Sequence, residues 1–166
     1  PPDLTELVLG AAAYLLALSD LGVDHDEGRR LAEEAVADGA ARELYDRWVR
    51  AQGGDPARDV LPRATVVHTV PAPSAGFVEG IATTGVGLAA LRLGAGRIHK
   101  EDSIDHSVGV VCLAKRGDRV EAGQAMAEVH ARDEASAQHA GDEVKACYRI
   151  GDAEPKRRPI VLDVVS

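Results

Sequence analysis

The spacing of apolar residues changes once along this 166-residue chain, and the change sets two kinds of structure on either side of a loop. Before residue 53, apolar side chains recur at i+3 and i+4, the spacing of helices. Leu4, Leu7, Val8, Ala11, Leu15 and Leu18 follow it, and the residues between (Leu9, Ala12, Ala13, Tyr14, Leu16, Ala17) are apolar as well. A helix apolar nearly all round is expected to be buried. At about 15 residues it falls short of the roughly 20 that cross a bilayer. Asp3 and Glu6 are placed as a capping-box-like pair at its start, and Gly22 ends it. A second helix is predicted from Asp26 to Asp38, stopped by Gly39. A third is predicted from about Ala40 to Ala51, with Leu44, Tyr45, Trp48 and Val49 inward and Gly53-Gly54 at its end. Residues 53–63, GGDPARDVLPR, hold two Gly and two Pro and read as a loop.

Beyond the loop the rhythm is that of strands. Val66, Val67 and Val70 lead to Pro71 and Pro73, Phe77 to Ile81 alternates, and Ser107 to Leu113 is a β-rich apolar run. Lys115-Arg116-Gly117-Asp118 makes a turn, Val120 a short strand, Glu121-Ala122-Gly123 a second turn, and Met126 to His130 alternates again. A helix is predicted over Glu134–Cys147, with Ala137, Ala140, Val144 and Cys147 on one face, and Ile160–Val165 as a closing strand. The expected class is α+β. The expected divisions are a helical segment 1–54, a linker 55–65 and a β-rich domain 66–166.

Composition narrows the function. The net charge is −8 and 45% of residues are hydrophobic, so a core can be buried, but no basic face for nucleic acid is expected. Trp48, Phe77, Tyr14, Tyr45 and Tyr148 are the only aromatics, too few for base stacking. Cys112 and Cys147 are the only cysteines. They suit a reducing cytoplasm and provide no disulfide framework. The sequence begins Pro1-Pro2-Asp3, its single Met is Met126, and no signal segment is recognisable. The expectation is a chain processed or cut from something longer.

Several motifs invite chemistry. Gly85-Val86-Gly87-Leu88-Ala89-Ala90 matches G-x-G-x-x-A, with Asp105 downstream. Against a dinucleotide site, the helix predicted from Leu88 to Leu93 is stopped by Gly94-Ala95-Gly96 after under two turns, and a Gly-rich packing turn is the better reading. The histidines are His25, His68, His99, His106, His130 and His139. None forms H-E-x-x-H or an i, i+4 pair, and His99 with His106 would need Asp102 or Asp105 to hold a metal. Ser74 and Ser103 sit in polar turns without a G-x-S-x-G elbow. The charged run Arg97–Asp105 could close over an anionic ligand, but a solvated loop with local ion pairs is favoured. Residues 115–131 have the rhythm of a biotinyl or lipoyl domain half. The stretch after Val129 holds no acceptor lysine, and Lys115 and Lys145 are misplaced for one. A free-standing sandwich module of that kind, used for binding or interaction, remains the alternative reading.

Three stretches together resemble the C-terminal part of the thymidine and pyrimidine-nucleoside phosphorylases: Ala75-Gly76-Phe77-Val78 running into Gly87-Leu88-Ala89-Ala90-Leu91-Arg92-Leu93-Gly94-Ala95-Gly96-Arg97, then Lys100 to Gly109, then Gly117-Asp118-Arg119-Val120 to His130. Asp3-Leu4-Thr5-Glu6-Leu7 and Ala51-Gln52-Gly53-Gly54-Asp55-Pro56 extend the resemblance upstream. It implies N-terminal helices from the tail of a larger α/β domain, followed by a β-rich, barrel-sandwich-like C-terminal domain with short helices. It also implies a parent enzyme, a cytoplasmic homodimer, that cleaves thymidine or uridine with inorganic phosphate as co-substrate. In that family a Lys-His-Ser-Thr-Gly-Gly stretch binds phosphate and a small helical domain binds the pyrimidine. That stretch is absent from this sequence. No catalytic, substrate-binding or metal residue is therefore assigned, no cofactor is expected, and the expected partner is the missing N-terminal part of the same enzyme, with no nucleic acid or membrane.

Overall fold

Helical spacing and capping residues decide the first elements. The computed structural model describes residues 2–57, 61–156 and 158–165. They divide into two compact units, Pro1–Asp59 with Arg158–Ser166, and Val60–Arg157. The middle of the expected loop, residues 58–60, lies outside the described residues.

The first unit holds α1 (Pro2–Ala17), α2 (His25–Ala37) and α3 (Ala40–Ala51). The carboxylate of Asp24 accepts the Glu27 N–H at 2.9 Å and so starts α2 one residue before the expected position. Gly39, at φ 89°, turns the chain from α2 into α3, a conformation glycine adopts without a Cβ clash. The two helices α1 and α2 approach closely where Gly28 faces Ala13; a Cβ on Gly28 would lie 2.8 Å from the Ala13 carbonyl oxygen. The expected capping box does not form. Asp3 lies within α1 and accepts from the Leu4 N–H, while Glu6 receives both Nη atoms of Arg29 at 2.9 and 2.7 Å.

Two burial expectations are corrected here. Ala13 is buried, but Leu4, Leu7, Val8 and Leu15 of α1, and Leu18 just after it, are exposed. Leu44, Tyr45 and Trp48 of α3 are exposed too, and Val49 is half-buried. A helix that is apolar on all sides needs neighbours on all sides, and short helices offer too little surface to cover one another. No helix of the described residues is long and apolar enough to cross a membrane.

The second unit contains β1 (Val66–Pro71), β2 (Gly76–Ile81), α4 (Thr83–Ala90), β3 (Gly109–Cys112), β4 (Arg119–Val120), β5 (Ala125–Ala131), α5 (Glu134–Cys147) and β6 (Tyr148–Gly151). The strands form two antiparallel three-stranded sheets, in the orders β1-β5-β3 and β4-β2-β6. Both retain open edges, so the strands close no barrel. Val70, Val78, Val120, Met126, Val129 and Val144 are fully buried between the elements. The α5 helix starts at Asp133, which accepts from the Ser136 N–H at 2.8 Å. Its Gly141 lies against the His68 ring of β1, where a Cβ would come within 2.7 Å.

Two element assignments change. The helix expected over Leu88–Leu93 begins earlier, at Thr83, and continues past α4 into one wide turn, Leu91–Ala95. Gly85, expected in a packing turn, lies inside the helix and still packs closely, because a Cβ there would sit 2.6 Å from Cys147 Sγ. Ile160–Val165 is not a strand of either sheet. The place beside β2 goes to β6, whose Tyr148 hydroxyl donates to the carbonyls of Ala114 and Met126, both at 3.2 Å.

Candidate functional site

The charge-rich run after α4 concentrates polar groups in both sequence and structure. The wide turn Leu91–Ala95 contains Gly94, with φ 104°. The Gly94 carbonyl accepts the Asp105 N–H at 2.9 Å, which closes the intervening residues into a loop. Two aspartates brace it. Asp102 Oδ2 accepts the N–H groups of Ile98 and His99 at 3.0 and 2.8 Å. Asp105 Oδ1 accepts both the hydroxyl and the N–H of Ser107, at 2.6 and 2.9 Å, and its Oδ2 accepts Arg132 Nε at 2.5 Å. Those contacts, Ser107 first and Arg132 after it, hold the Asp105 carboxyl down at about 2. Nearby, Arg92 Nη1 donates to both carboxylate oxygens of Glu143 on α5, at 3.1 and 3.0 Å.

A concavity of about 250 Å³ lies beside the loop, lined by Leu91, Arg92, Gly94, Ile98, Asp102 and Arg132. Small-molecule pockets run to roughly 300–1,000 Å³, so this hollow is small. Both of its arginines are engaged by carboxylates. The loop is solvated as expected, but the ion pairs are not local: Asp102 takes backbone N–H groups, and Asp105 pairs with Arg132, 27 positions on. Arg132 and Glu143 were not singled out by sequence reasoning. Arg132 follows a strand and Glu143 sits on an amphipathic helix, and neither position carries a local signal of its partner far along the chain.

The other sequence candidates are dispersed. Gly85 and Gly87 lie inside α4 and not in a strand-to-helix turn, and the sheets are antiparallel, so the dinucleotide arrangement is not built. Among the described residues, no three His, Cys, Asp or Glu side chains converge as a metal site; His99 and Asp102 meet only through the backbone N–H of His99. Ser74 and Ser103 are exposed. Lys115 begins the turn before β4, and Lys145 is in the last turn of α5. After β5 the chain enters α5, where a carrier would have a lysine-tipped hairpin. Cys112 and Cys147 are free thiols, and burial, followed by Glu143, pushes the Cys147 thiol above its ordinary range.

Comparison with known proteins accounts for the arrangement better than any of these motifs. Residues 77–151 match the pyrimidine nucleoside phosphorylase C-terminal domain. The chain is 42% identical over 158 residues to the thymidine phosphorylase of Burkholderia cenocepacia, a match that covers 92% of this chain and 36% of that protein. It is 41% identical over 158 residues to the Burkholderia orbicola thymidine phosphorylase, and 33% identical over 164 residues to that of Rhizobium meliloti, covering 96% of this chain and 37% of the relative. The chain thus spans little more than a third of the length of these relatives. It is similar over nearly its whole length to the C-terminal part of the thymidine and pyrimidine-nucleoside phosphorylases, and its residues 77–151 belong to the family of pyrimidine nucleoside phosphorylase C-terminal domains.

Proposed function

We propose that this chain is the C-terminal part of a thymidine or pyrimidine-nucleoside phosphorylase, whose whole form converts thymidine, or also uridine, and inorganic phosphate into free base and the sugar 1-phosphate. The observation that carries the reading is the 42% identity over 92% of the chain, placed on 36% of the relative. In this reading residues 1–54 end the large α/β domain, 55–65 link, and 66–166 are the C-terminal domain, a sandwich of two open sheets followed by residues 158–166, which group with the first helices. The parent is a cytoplasmic pentosyltransferase of nucleoside salvage that acts as a homodimer, and this chain's partner is the rest of the same enzyme.

Phosphorolysis needs a desolvated phosphate dianion held against the anomeric carbon and a stabilised leaving base. The described hollows of this chain are small, and the arginines beside the 97–105 loop are already paired. The chain alone is therefore inactive, and its role is to scaffold the other domains. Incubating it with thymidine and phosphate and following thymine release is the direct test: no turnover is expected, and turnover above background would overturn the reading. Sequencing upstream of Pro1 gives an independent check, with a Lys-His-Ser-Thr-Gly-Gly stretch as the expected finding.

A further inference from the structure

Residues 160–165, IVLDVV, have the composition of a strand and none of its pairing. Ile160, Leu162 and Val164 alternate with Val161, Asp163 and Val165, so a strand here would be apolar on one whole face and on most of the other. Such near-continuous apolar strands belong to sheets covered by helices on both faces. Pro159 stands where a strand can begin, since it offers no N–H to a ladder. Yet no backbone hydrogen bond joins this segment to any described residue; among the described residues its one hydrogen bond runs from the Val164 N–H to the Asp163 side chain at 2.8 Å. Leu162 is 78% and Val165 93% exposed. An exposed, unpaired apolar segment of this kind is a template for another strand.

The location of the segment selects its partner. Although it follows β6 in sequence, it groups with the helices α1–α3 and not with the two sheets of the second unit. The same unit carries the uncovered apolar surfaces of α1 and α3. Helices with apolar flanks and an unpaired apolar segment in one unit are surfaces that an α/β layer structure covers with a sheet. We infer that residues 160–165 pair as a strand onto the sheet of the large α/β domain in the whole enzyme, so that the chain returns from the C-terminal domain to complete the domain in which its first helices lie. The inference rests on the reading of the chain as the C-terminal part of a longer phosphorylase.

The test uses the full-length protein encoded by the reading frame that contains this chain, with hydrogen exchange read at residues 161–165 in that protein and in the 166-residue chain alone. Amides in a paired strand are expected to exchange slower by a factor of about 100 or more than in the chain alone. Leu162→Pro in the full-length protein removes one N–H from the ladder and is expected to restore fast exchange on both sides of it, with exchange in β5 as the control for a folded C-terminal domain. Where that control is lost, Leu162→Asp makes the same test without a backbone change. A full-length protein that phosphorolyses thymidine but exchanges fast at 161–165 overturns the inference and leaves the family reading intact. A reading frame without a large domain, or a full-length protein without phosphorolysis, overturns the reading and the inference with it. Equal protection in the short chain, accompanied by a dimer in light scattering, would assign the segment to a second copy and also overturn the inference.

Discussion

Arg132 Nε donates to Asp105 Oδ2 at 2.5 Å, joining the residue after β5 to the end of a loop 27 positions earlier in the chain. The contact seats the guanidinium over Gly94, where a Cβ would lie 2.7 Å from Arg132 Nη2. One arginine thus fixes both ends of the 94–105 loop. The pair is partly solvated, at 57% and 23% side-chain exposure, so its importance is geometric: it sets where the backbone goes.

Acid should release this brace. The Asp105 carboxyl titrates at about 2, against 3.8 for the free side chain. A carboxyl depressed in the folded state adds stability above its unfolded value, and that stability is lost as pH falls toward the folded value. Urea unfolding measured between about 3.8 and about 2 should therefore show a loss that Asp105→Asn lacks. Identical profiles for the two proteins would refute the assignment.

Two glycines seven residues apart should respond in opposite directions. Gly94 has φ 104°, a conformation that strains any residue with a Cβ, so Gly94→Ala should cost about 1–3 kcal/mol. Gly87 is helical with nothing within 4 Å of a Cβ, so Gly87→Ala should add about 0.5–1 kcal/mol. Denaturant midpoints of the two variants decide the matter.

The packing role of Gly85 predicts coupling to Cys147. Gly85→Ala places a methyl group 2.6 Å from the thiol and should cost about 1–3 kcal/mol through overpacking. Much of that penalty should vanish when Cys147→Ala is present, with a coupling energy of about 0.5–3 kcal/mol in a double-mutant cycle. Additive penalties would mean that the two residues do not meet.

Tyr148→Phe should cost about 0.5–1.5 kcal/mol, because the Ala114 carbonyl loses this donor while the Met126 carbonyl keeps the N–H groups of Leu113 and Ala114. Burial, then the neighbouring Cys112, pushes the Tyr148 hydroxyl above the ordinary tyrosine range. An ultraviolet tyrosinate titration should lose its most alkaline step in the variant.

Trp48 offers a readout of the uncovered helical surface. It is 59% exposed, so its fluorescence in the chain alone should resemble that of a solvated indole and be open to acrylamide quenching. In the full-length protein the same residue should become shielded. A shielded Trp48 in the short chain at low concentration would contradict the exposed α3 face.

Much of the local structure was legible because it depends on near neighbours. The α5 helix is bounded by the Asp133 cap and carries Ala137, Ala140 and Val144 on its buried face, as its spacing indicates. The turns at Gly117 and Gly123, with φ 99° and 80°, stand where the Gly-containing stretches predicted them. The α4 helix starts earlier than expected because Gly85 looks the same in sequence whether it packs in a turn or inside a helix against Cys147. The inward face assigned to α3 is the spacing of a covered helix, and spacing alone does not say what does the covering. The 97–105 loop was recognised as a solvated run of charges, but its braces were not, since Asp105 meets Arg132 and Arg92 meets Glu143 only after the chain has folded back.

By itself, then, the sequence determined the helical first part and the strand-rich second part, the turns that punctuate them, and the kinship with phosphorylase C-terminal regions. These follow from backbone preference, apolar period and residue identity, which act over a few positions at a time. Tertiary structure alone decided that β6 and not Ile160–Val165 pairs with β2, that the strands form two open sheets, and that α1 and α3 show apolar surface to solvent. Strand partners and burial depend on which distant surfaces compete for the same contact. Tyr148 follows directly on α5 and can place its hydroxyl on two core carbonyls, whereas 160–165 is strand-like in composition but pairs with neither sheet of the second unit.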